Sequence, residues 1–290
     1  MSGAPLWLRR GLGAASRAAP SKTARLAFEA FRRPSVARRL DRGQRLKLSE
    51  AEALLTDAEH IHVETPEGRI HALRFAPPPG APEALLLHAW TADARAMAAF
   101  VAPLRAAGFG VTIPDLPAHG GSFGSGTDAP ASARAVRALL DQLAIRPEFW
   151  LTHSFGGGVA GMLAAAGLAP RRFACIASPS RLRYITDAFI DAFALAPRAA
   201  AAFEGEVERA AGCEIDAVDG LRIWPGQPTE ILLLHAPGDE EIEFSEAERL
   251  ATMPNARLHP LPGLGHRDVL WRPECIEPAI GFLTGARLSA

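Results

Sequence analysis

The sequence predicts an α/β fold in which helices cover both faces of a mostly parallel β-sheet. From residue 84 onward, patterns typical of strands and helices alternate along the chain. The predicted strands are short and almost wholly apolar, as in parallel strands buried on both faces. The length of 290 residues and the hydrophobic content of 48% are enough to bury one sizeable core.

A basic segment precedes this alternation. Residues 1–50 contain 12 Lys and Arg against 3 Asp and Glu, a net charge of +9, whereas the remainder carries −10. Apolar residues between the arginines predict one or two amphipathic helices over residues 6–47. Three alternatives stay open: packing onto the acidic domain, contact with an anionic membrane surface, or an Arg-rich transit peptide.

The next elements follow in order along the chain. Residues 60–65 and 69–75 alternate polar and apolar side chains around the turn Pro66-Glu67-Gly68, which predicts an antiparallel hairpin at one sheet edge. Further strands are predicted at residues 84–88, 110–114, 149–152, 173–177, 231–235 and 257–260. Helices are predicted at residues 93–107, 130–143, 157–168, 181–211, 245–253 and 275–283.

The most informative motif is Thr152-His153-Ser154-Phe155-Gly156, which lies between a predicted strand and a predicted helix. It is close to G-x-S-x-G, the pattern of a tight turn that exposes a serine hydroxyl above a sheet. The alternative is an ordinary helix N-cap, because serine favours that position.

A serine nucleophile needs a base, and the base needs a group that fixes its tautomer. Asp239 and His266 follow Ser154 in the chain, and each comes after a predicted strand. Ligands of parallel sheets bind beyond the carboxyl ends of the strands, so we expect the three side chains to lie together. Other acids that remain open for the place of Asp239 are Glu240, Glu241, Asp216 and Asp219.

Residues 59–285 resemble the α/β-hydrolase superfamily, in particular its serine-nucleophile, esterase- and lipase-like members. Four motifs in the family's order carry the resemblance: His88-Ala89-Trp90, Asp115-Leu116-Pro117-Ala118-His119-Gly120-Gly121-Ser122, Thr152-His153-Ser154-Phe155-Gly156-Gly157, and His235-Ala236-Pro237-Gly238-Asp239-Glu240-Glu241-Ile242 with Gly263-Leu264-Gly265-His266. The resemblance implies an eight-stranded, mostly parallel sheet with a helical cap inserted.

The resemblance also implies the residue roles. Ser154 is the expected nucleophile, His266 the general base and then acid, and Asp239 the group that orients His266. The backbone N–H groups of Trp90 and Phe155 are expected to form the oxyanion hole. Histidines 88, 119 and 153 are expected to hold loops by hydrogen bonding.

The implied domain organisation has three parts. Residues 1–55 form a basic helical extension, residues 56–178 and 229–290 the hydrolase core, and residues 179–228 the cap. Phe189, Phe193, Leu195 and Phe203 are spaced for one apolar helical face of the cap. They either pack the cap onto the core or line a substrate pocket, and Phe189, Phe193 and Phe203 are the pocket candidates.

Three positions differ from the family pattern, and each lacks an expected glycine: Thr152 in the serine turn, Ala89 in the oxyanion loop and Ala118 before His119. Glycine is favoured where φ is positive or where backbones approach closely. We expect these replacements to affect the geometry of the oxyanion hole rather than the fold.

The overall charge and the number of cysteines limit the partners and the location that are expected. The overall charge of −1 predicts no nucleic-acid partner, and the three cysteines predict a reducing, cytoplasmic location, peripheral to a membrane if the basic segment binds one. No metal and no cofactor are predicted. The expected function is hydrolysis of a small or lipid-like carboxylic ester through an acyl-enzyme. The alternatives are an acyltransferase, thioesterase or amidase with the same triad, and a non-catalytic binding protein.

Overall fold

The computed structural model describes residues 6–34 and 42–285, and its centre is one eight-stranded sheet. The strands are β1 Glu59–Thr65, β2 Gly68–Phe75, β3 Glu83–Leu87, β4 Gly110–Pro114, β5 Phe149–His153, β6 Arg172–Ile176, β7 Glu230–His235 and β8 Ala256–Pro260. Their order is β1-β2-β4-β3-β5-β6-β7-β8. Strands β3 to β8 run parallel, and the antiparallel hairpin β1–β2 extends one edge. The predicted fold class is confirmed.

Helices flank this sheet on both faces. They are α1 Leu6–Ala18, α2 Pro20–Phe31, α3 Arg42–Leu54, α4 Val101–Ala106, α5 Ala129–Gln142, α6 Phe155–Ala165, α7 Leu182–Phe193, α8 Pro197–Ala211, α9 Gly220–Ile223, α10 Phe244–Leu250 and α11 Pro273–Thr284. Two predicted helices differ. The first half of 93–107 is a 3₁₀ helix, Ala94–Phe100, and 181–211 is broken where Ala194 is left-handed before Pro197 starts α8.

Two apolar layers bury the sheet. Along β5, Leu151 points into the layer that contains α11, and Trp150 points into the opposite layer with α5 and α6. This alternation is the period of two that a strand imposes on its side chains. Strand β5 lies in the middle of the sheet, so the turn that follows it is held by a buried strand with neighbours on both sides.

The N-terminal helices pack in two different places. Helices α1 and α2, which we call the N-terminal hairpin, pack on α7 and α8, which lie within the predicted cap. The ring of Phe31 lies 5.1 Å from that of Phe189 and 5.4 Å from that of Phe203. Helix α3 instead packs on the 3₁₀ helix of the core. The described parts of the predicted extension 1–55 therefore make contacts in two places, and the predicted division into three domains stays a prediction. Within the described residues, no helix is long and apolar enough to cross a membrane.

We predict a large loss of stability when the aromatic cluster between α7, α8 and the N-terminal hairpin loses the ring of Phe203. Phe203 is completely buried, so Phe203→Ala should lower the free energy of unfolding by about 3–5 kcal/mol. Urea denaturation followed by circular dichroism measures this change. Phe123, which is 69% exposed, provides the matched control, and Phe123→Ala should change stability by no more than about 0.5 kcal/mol. Equal effects at both positions would contradict the packing described above.

Candidate active site

Ser154 occupies a sharp turn between β5 and α6. Its φ is 51° and its ψ is −116°, a backbone conformation that non-glycine residues rarely adopt. Such strain costs of order 1–3 kcal/mol and is found mostly at functional sites. Ser154 directly precedes α6, yet its side chain makes no capping hydrogen bond. The geometry therefore favours the nucleophile turn over the N-cap alternative.

Backbone contacts hold this turn in its strained form. The N–H of Ser154 donates to the carbonyl of Ile176 at 2.9 Å, and the Ser178 hydroxyl donates to the carbonyl of Ser154 at 2.8 Å. Gly156 allows the turn to approach β3, because a Cβ there would lie 2.5 Å from the carbonyl oxygen of Leu87. The glycine after the serine is thus a steric requirement of the close approach.

Asp239 and His266 form a hydrogen-bonded pair. Nδ1 of His266 lies 2.7 Å from Oδ2 of Asp239, and both side chains are nearly inaccessible to solvent. A carboxylate only accepts hydrogen bonds, so Nδ1 carries the hydrogen and Nε2 of the neutral ring keeps its lone pair. This tautomer is the one that takes a proton at Nε2.

The environment of Asp239 keeps it ionised. Burial acts to raise its pKa, but hydrogen bonds from His235, His266 and the Ile242 backbone outweigh burial and hold the pKa well below its usual value. Oδ1 accepts from the N–H groups of Glu241 and Ile242 at 2.8 and 2.9 Å. These two bonds fix the orientation of the carboxylate, and the other oxygen, Oδ2, accepts from His266.

Three of the alternative acids are paired with arginines. Glu241 bonds Arg267, whereas Asp216 and Asp219 pair with arginines of the cap and of α10, respectively. Asp239 is the acid that the structure places on His266.

His153 joins the serine turn to the histidine loop. It immediately precedes Ser154, and its Nε2 lies 2.8 Å from the backbone carbonyl oxygen of His266. The two imidazole rings lie 4.8 Å apart, centroid to centroid. His266 is consequently next to the nucleophile turn, and Ser154 and His266 are both buried, with 8% and 7% exposure.

The side chains of the two residues expected to form the oxyanion hole are in contact. Phe155 is the first residue of α6, and an N–H at that position has no acceptor inside its own helix. The positive end of the helix dipole adds to its attraction for an anion. The ring of Trp90 contacts that of Phe155 at 4.9 Å, which places the loop after β3 beside the serine turn.

The loop after β4 supports the Trp90 loop. Asp115 is buried and accepts hydrogen bonds from Nδ1 of His71 and from the N–H groups of Ala94 and Gly121, each at 2.7 Å. His119, from the same loop, accepts from the Thr91 N–H at 3.3 Å. Burial first, then the nearby His88, lowers the pKa of His119 to about 4, so its ring is neutral at pH 7.

The three missing glycines have different consequences. Thr152 lies inside β5, where a β-branched residue is favoured, and neither it nor Ala89 has a positive φ. Ala118 does have a positive φ, of 64°. The backbone strain expected from these replacements is therefore present at Ala118 alone of the three.

We predict opposite stability changes for two alanine-to-glycine replacements. Ala118→Gly removes the left-handed strain and should raise the free energy of unfolding by about 1 kcal/mol. Ala89→Gly, at a position without positive φ, should lower it by about 0.5–1 kcal/mol through the greater freedom of the unfolded chain. Thermal unfolding of both variants measures the two stability changes. Changes of the same sign would refute the assignment of backbone strain to Ala118.

The predicted pocket residues lie in the aromatic cluster of the cap. Phe189 and Phe203 stack at 5.1 Å, and Phe193 contacts Phe189 at 4.5 Å. These contacts pack α7 and α8 against the N-terminal hairpin and not onto the core, so the predicted packing onto the core is not what the rings do. A contact with substrate stays a prediction. Among residues 6–34 and 42–285, no group of three or more His, Cys, Asp or Glu side chains is arranged to hold a metal ion.

Two contributors to this site have no predicted role in the sequence. Ser178 donates a hydrogen bond to the carbonyl of Ser154. A Cβ on Gly157 would lie 2.3 Å from the Ser178 hydroxyl oxygen, so the glycine leaves room for this side chain. His235 lies 3.4 Å from Oδ2 of Asp239 and bonds the carbonyl of Ile242. His235 was visible only as part of the acid-loop motif, and Ser178 belongs to none of the motifs.

Comparisons with known proteins concern the family and the fold. Residues 84–274 match the sequence model of the alpha/beta hydrolase family. The structure is similar to that of carboxylesterase CesB from Bacillus subtilis, with 17% identity, a TM-score of 0.60, and coverage of 84% of this chain and 98% of the other. A hydrolase from Pseudomonas aeruginosa is 22% identical, with a TM-score of 0.59 and coverage of 79% and 99%. A membrane phospholipase A, a bacterial virulence factor, is 20% identical, with a TM-score of 0.62 and coverage of 84% and 92%. At these identities the structural likeness concerns the fold alone.

Proposed function

The chain belongs to the alpha/beta hydrolase family, and from this we propose that it is a serine hydrolase that cleaves a carboxylic ester through an acyl-enzyme. The observation that carries the proposal is the strained turn of Ser154 beside the hydrogen-bonded pair of His266 and Asp239. A buried serine, a histidine with a free Nε2 and an ionised aspartate are the parts that acyl transfer needs.

In the proposed acylation step, Oγ of Ser154 attacks the ester carbonyl carbon while its proton passes to Nε2 of His266. The carbonyl oxygen becomes an oxyanion, which the N–H groups of Trp90 and Phe155 bind. Losing one such donor typically costs about 3 kcal/mol in the transition state. The bond to the alkoxy group then breaks, and His266 returns its proton to the leaving alcohol.

Deacylation repeats the same steps with water. A water molecule gives a proton to Nε2 of His266 and attacks the acyl carbon, forming a second oxyanion. When this intermediate collapses, the bond to Oγ breaks, the acid leaves, and Ser154 regains the proton. Asp239 stabilises the imidazolium in both steps, and its lowered pKa keeps it ionised throughout the neutral range.

The proposed substrate is a small or lipid-like ester. The aromatic rings of Trp90 and Phe155 next to the nucleophile support an apolar acyl or alcohol group, because such pockets are lined mainly by apolar and aromatic side chains. We also propose a cytoplasmic location. Binding to a membrane surface through residues 1–50 stays a prediction.

Fluorophosphonate labelling tests the proposal. The folded protein should be labelled at Ser154, should hydrolyse p-nitrophenyl esters, and should lose both activities when it is denatured. Rates with acetyl, butyryl and octanoyl esters report the preferred chain length. Absence of both labelling and turnover in folded protein would exclude a serine hydrolase.

The same assay separates hydrolysis from acyl transfer. An acyltransferase would show p-nitrophenol release that rises with an added alcohol or amine acceptor and an acylated acceptor among the products. Hydrolysis predicts that the free acid accounts for all of the released acyl group. Acyl-CoA thioesters and amides in the same panel test the thioesterase and amidase alternatives.

A further inference from the structure

His153 carries a polar ring in a fully buried position. Its exposure is 2%, and its ring bonds the backbone carbonyl oxygen of His266. Because a carbonyl oxygen only accepts, Nε2 of His153 carries the hydrogen and Nδ1 of the neutral ring is left bare. Nδ1 is buried and has no hydrogen-bond partner in the part of the chain that the structure describes.

A bare buried nitrogen is costly. Leaving a polar group without a partner in a protein interior costs about 1–3 kcal/mol, and an apolar side chain of similar size avoids that cost. The hydrogen bond to His266 is therefore the interaction that offsets the free-energy cost of burying Nδ1 of His153 without a partner. It connects residues that are 113 positions apart in the sequence.

We propose that His153 is a positioning residue for the general base. Its Nε2–H holds the backbone of His266 so that the His266 ring stays at the distance from Ser154 that proton transfer requires. This inference rests on the serine hydrolase function proposed above. It concerns a residue that holds the general base and does not itself exchange a proton in the proposed reaction.

The positioning follows from where the two anchors of His266 originate. Asp239, in the loop after β7, holds the ring through Nδ1, and His153, at the end of β5, holds the backbone. Because a single peptide bond links His153 to Ser154, His266 cannot move away from the nucleophile without breaking this contact. A displacement of 1 Å at such a site costs about 100-fold in rate.

The charge state of His153 suits this role. Burial first, and then the nearby His266 and Arg267, lower its pKa to about 3, while the His266 carbonyl and Asp239 act in the opposite direction. The ring thus stays neutral at neutral pH and adds no positive charge beside His266 when His266 is protonated in the reaction. His266, Arg267 and Asp239 are the charged or titratable groups that contribute to this shift.

Two variants distinguish the effect of the His153 hydrogen bond from the effect of its aromatic ring. His153→Gln keeps a terminal N–H donor but loses the ring, whereas His153→Phe keeps an aromatic ring but has no donor. We expect His153→Phe to lower kcat about 10- to 100-fold with KM nearly unchanged, and to slow fluorophosphonate labelling in parallel. His153→Gln should restore most of both rates. Urea denaturation of each variant confirms that the measured protein is folded.

A measurement that needs no activity accompanies these rates. In NMR spectra of protein with ¹⁵N-labelled histidine, the Nδ1–H proton of His266 should exchange with water faster in His153→Phe than in wild type or His153→Gln. Equal rates and equal exchange in all three folded proteins would overturn the positioning role, as would an equal loss in Gln and Phe. If wild type is not labelled at Ser154, the hydrolase proposal fails, and the exchange rates still decide the role of His153.

Discussion

Replacing Ser154 by alanine is expected to lower kcat for ester hydrolysis by at least about 10⁴-fold and to abolish fluorophosphonate labelling. The hydroxyl is the only group that forms the covalent bond in the proposed mechanism, so no neighbouring side chain replaces it. The fold should be retained, because Ser154 makes no side-chain cap and the hydrogen bonds described for the turn involve its main chain.

Steady-state kinetics with p-nitrophenyl butyrate and the labelling assay measure this change. Ser21→Ala, which removes a hydroxyl from an exposed position on α2, is the matched control and should leave both measurements unchanged. Residual labelling of the Ser154→Ala protein at another serine would show that the nucleophile has been assigned incorrectly.

The second large effect is expected for Asp239→Asn, which should lower kcat about 10⁴-fold although it changes only one atom. The backbone N–H groups of Glu241 and Ile242 require an acceptor at the position of Oδ1. The amide oxygen of asparagine must therefore take that position, and its NH₂ group then faces Nδ1 of His266. Nδ1 becomes an acceptor, the hydrogen moves to Nε2, and the base can no longer accept a proton from Ser154.

The same substitution changes how stability depends on pH. The pKa of Asp239 is lowered in the folded protein, so its contribution to stability is present above its unfolded value near 3.9 and is lost as the pH falls towards the folded pKa. Asp239→Asn should remove this contribution, and its stability should fall less steeply than that of wild type below about pH 4. Urea denaturation between pH 2.5 and 7, values chosen around the pKa near 3.9, measures the difference.

Glu240 provides the control for this substitution. It is the next residue along the chain and is exposed, so Glu240→Gln should change neither kcat nor the pH profile. A similar loss of activity in both variants would mean that Asp239 does not orient His266 in the way proposed.

Much of the core could be predicted from the sequence because its signals are local. A parallel strand buried on both faces is a continuous apolar run, and each predicted strand differs from the observed one by at most one residue at either end. The pairing of Asp239 with His266 was also predictable, because both residues follow strands of one parallel sheet. The left-handed φ of Ala118, in contrast, depends on how its loop folds around Asp115.

Contacts between distant segments could not be predicted in this way. An amphipathic pattern shows that α2 has an apolar face, but it does not identify α8 as the partner of that face. For the same reason, the sequence predicts that His153 holds a loop by hydrogen bonding but does not identify the group that it bonds. Its partner, the His266 carbonyl, is a backbone atom, and backbone atoms leave no trace in the residue types of a sequence.

The packing of the N-terminal hairpin against the cap has a consequence for folding during synthesis. Residue 203 is added to the chain 172 positions after residue 31, a delay of about 10 to 30 s at typical translation rates. Helices of 12 or 13 residues are marginal in isolation, so α1 and α2 have no stable fold during this interval. Helices α1 and α2 are thus expected to become ordered only after α7 and α8 have been synthesised, although they precede both in the sequence.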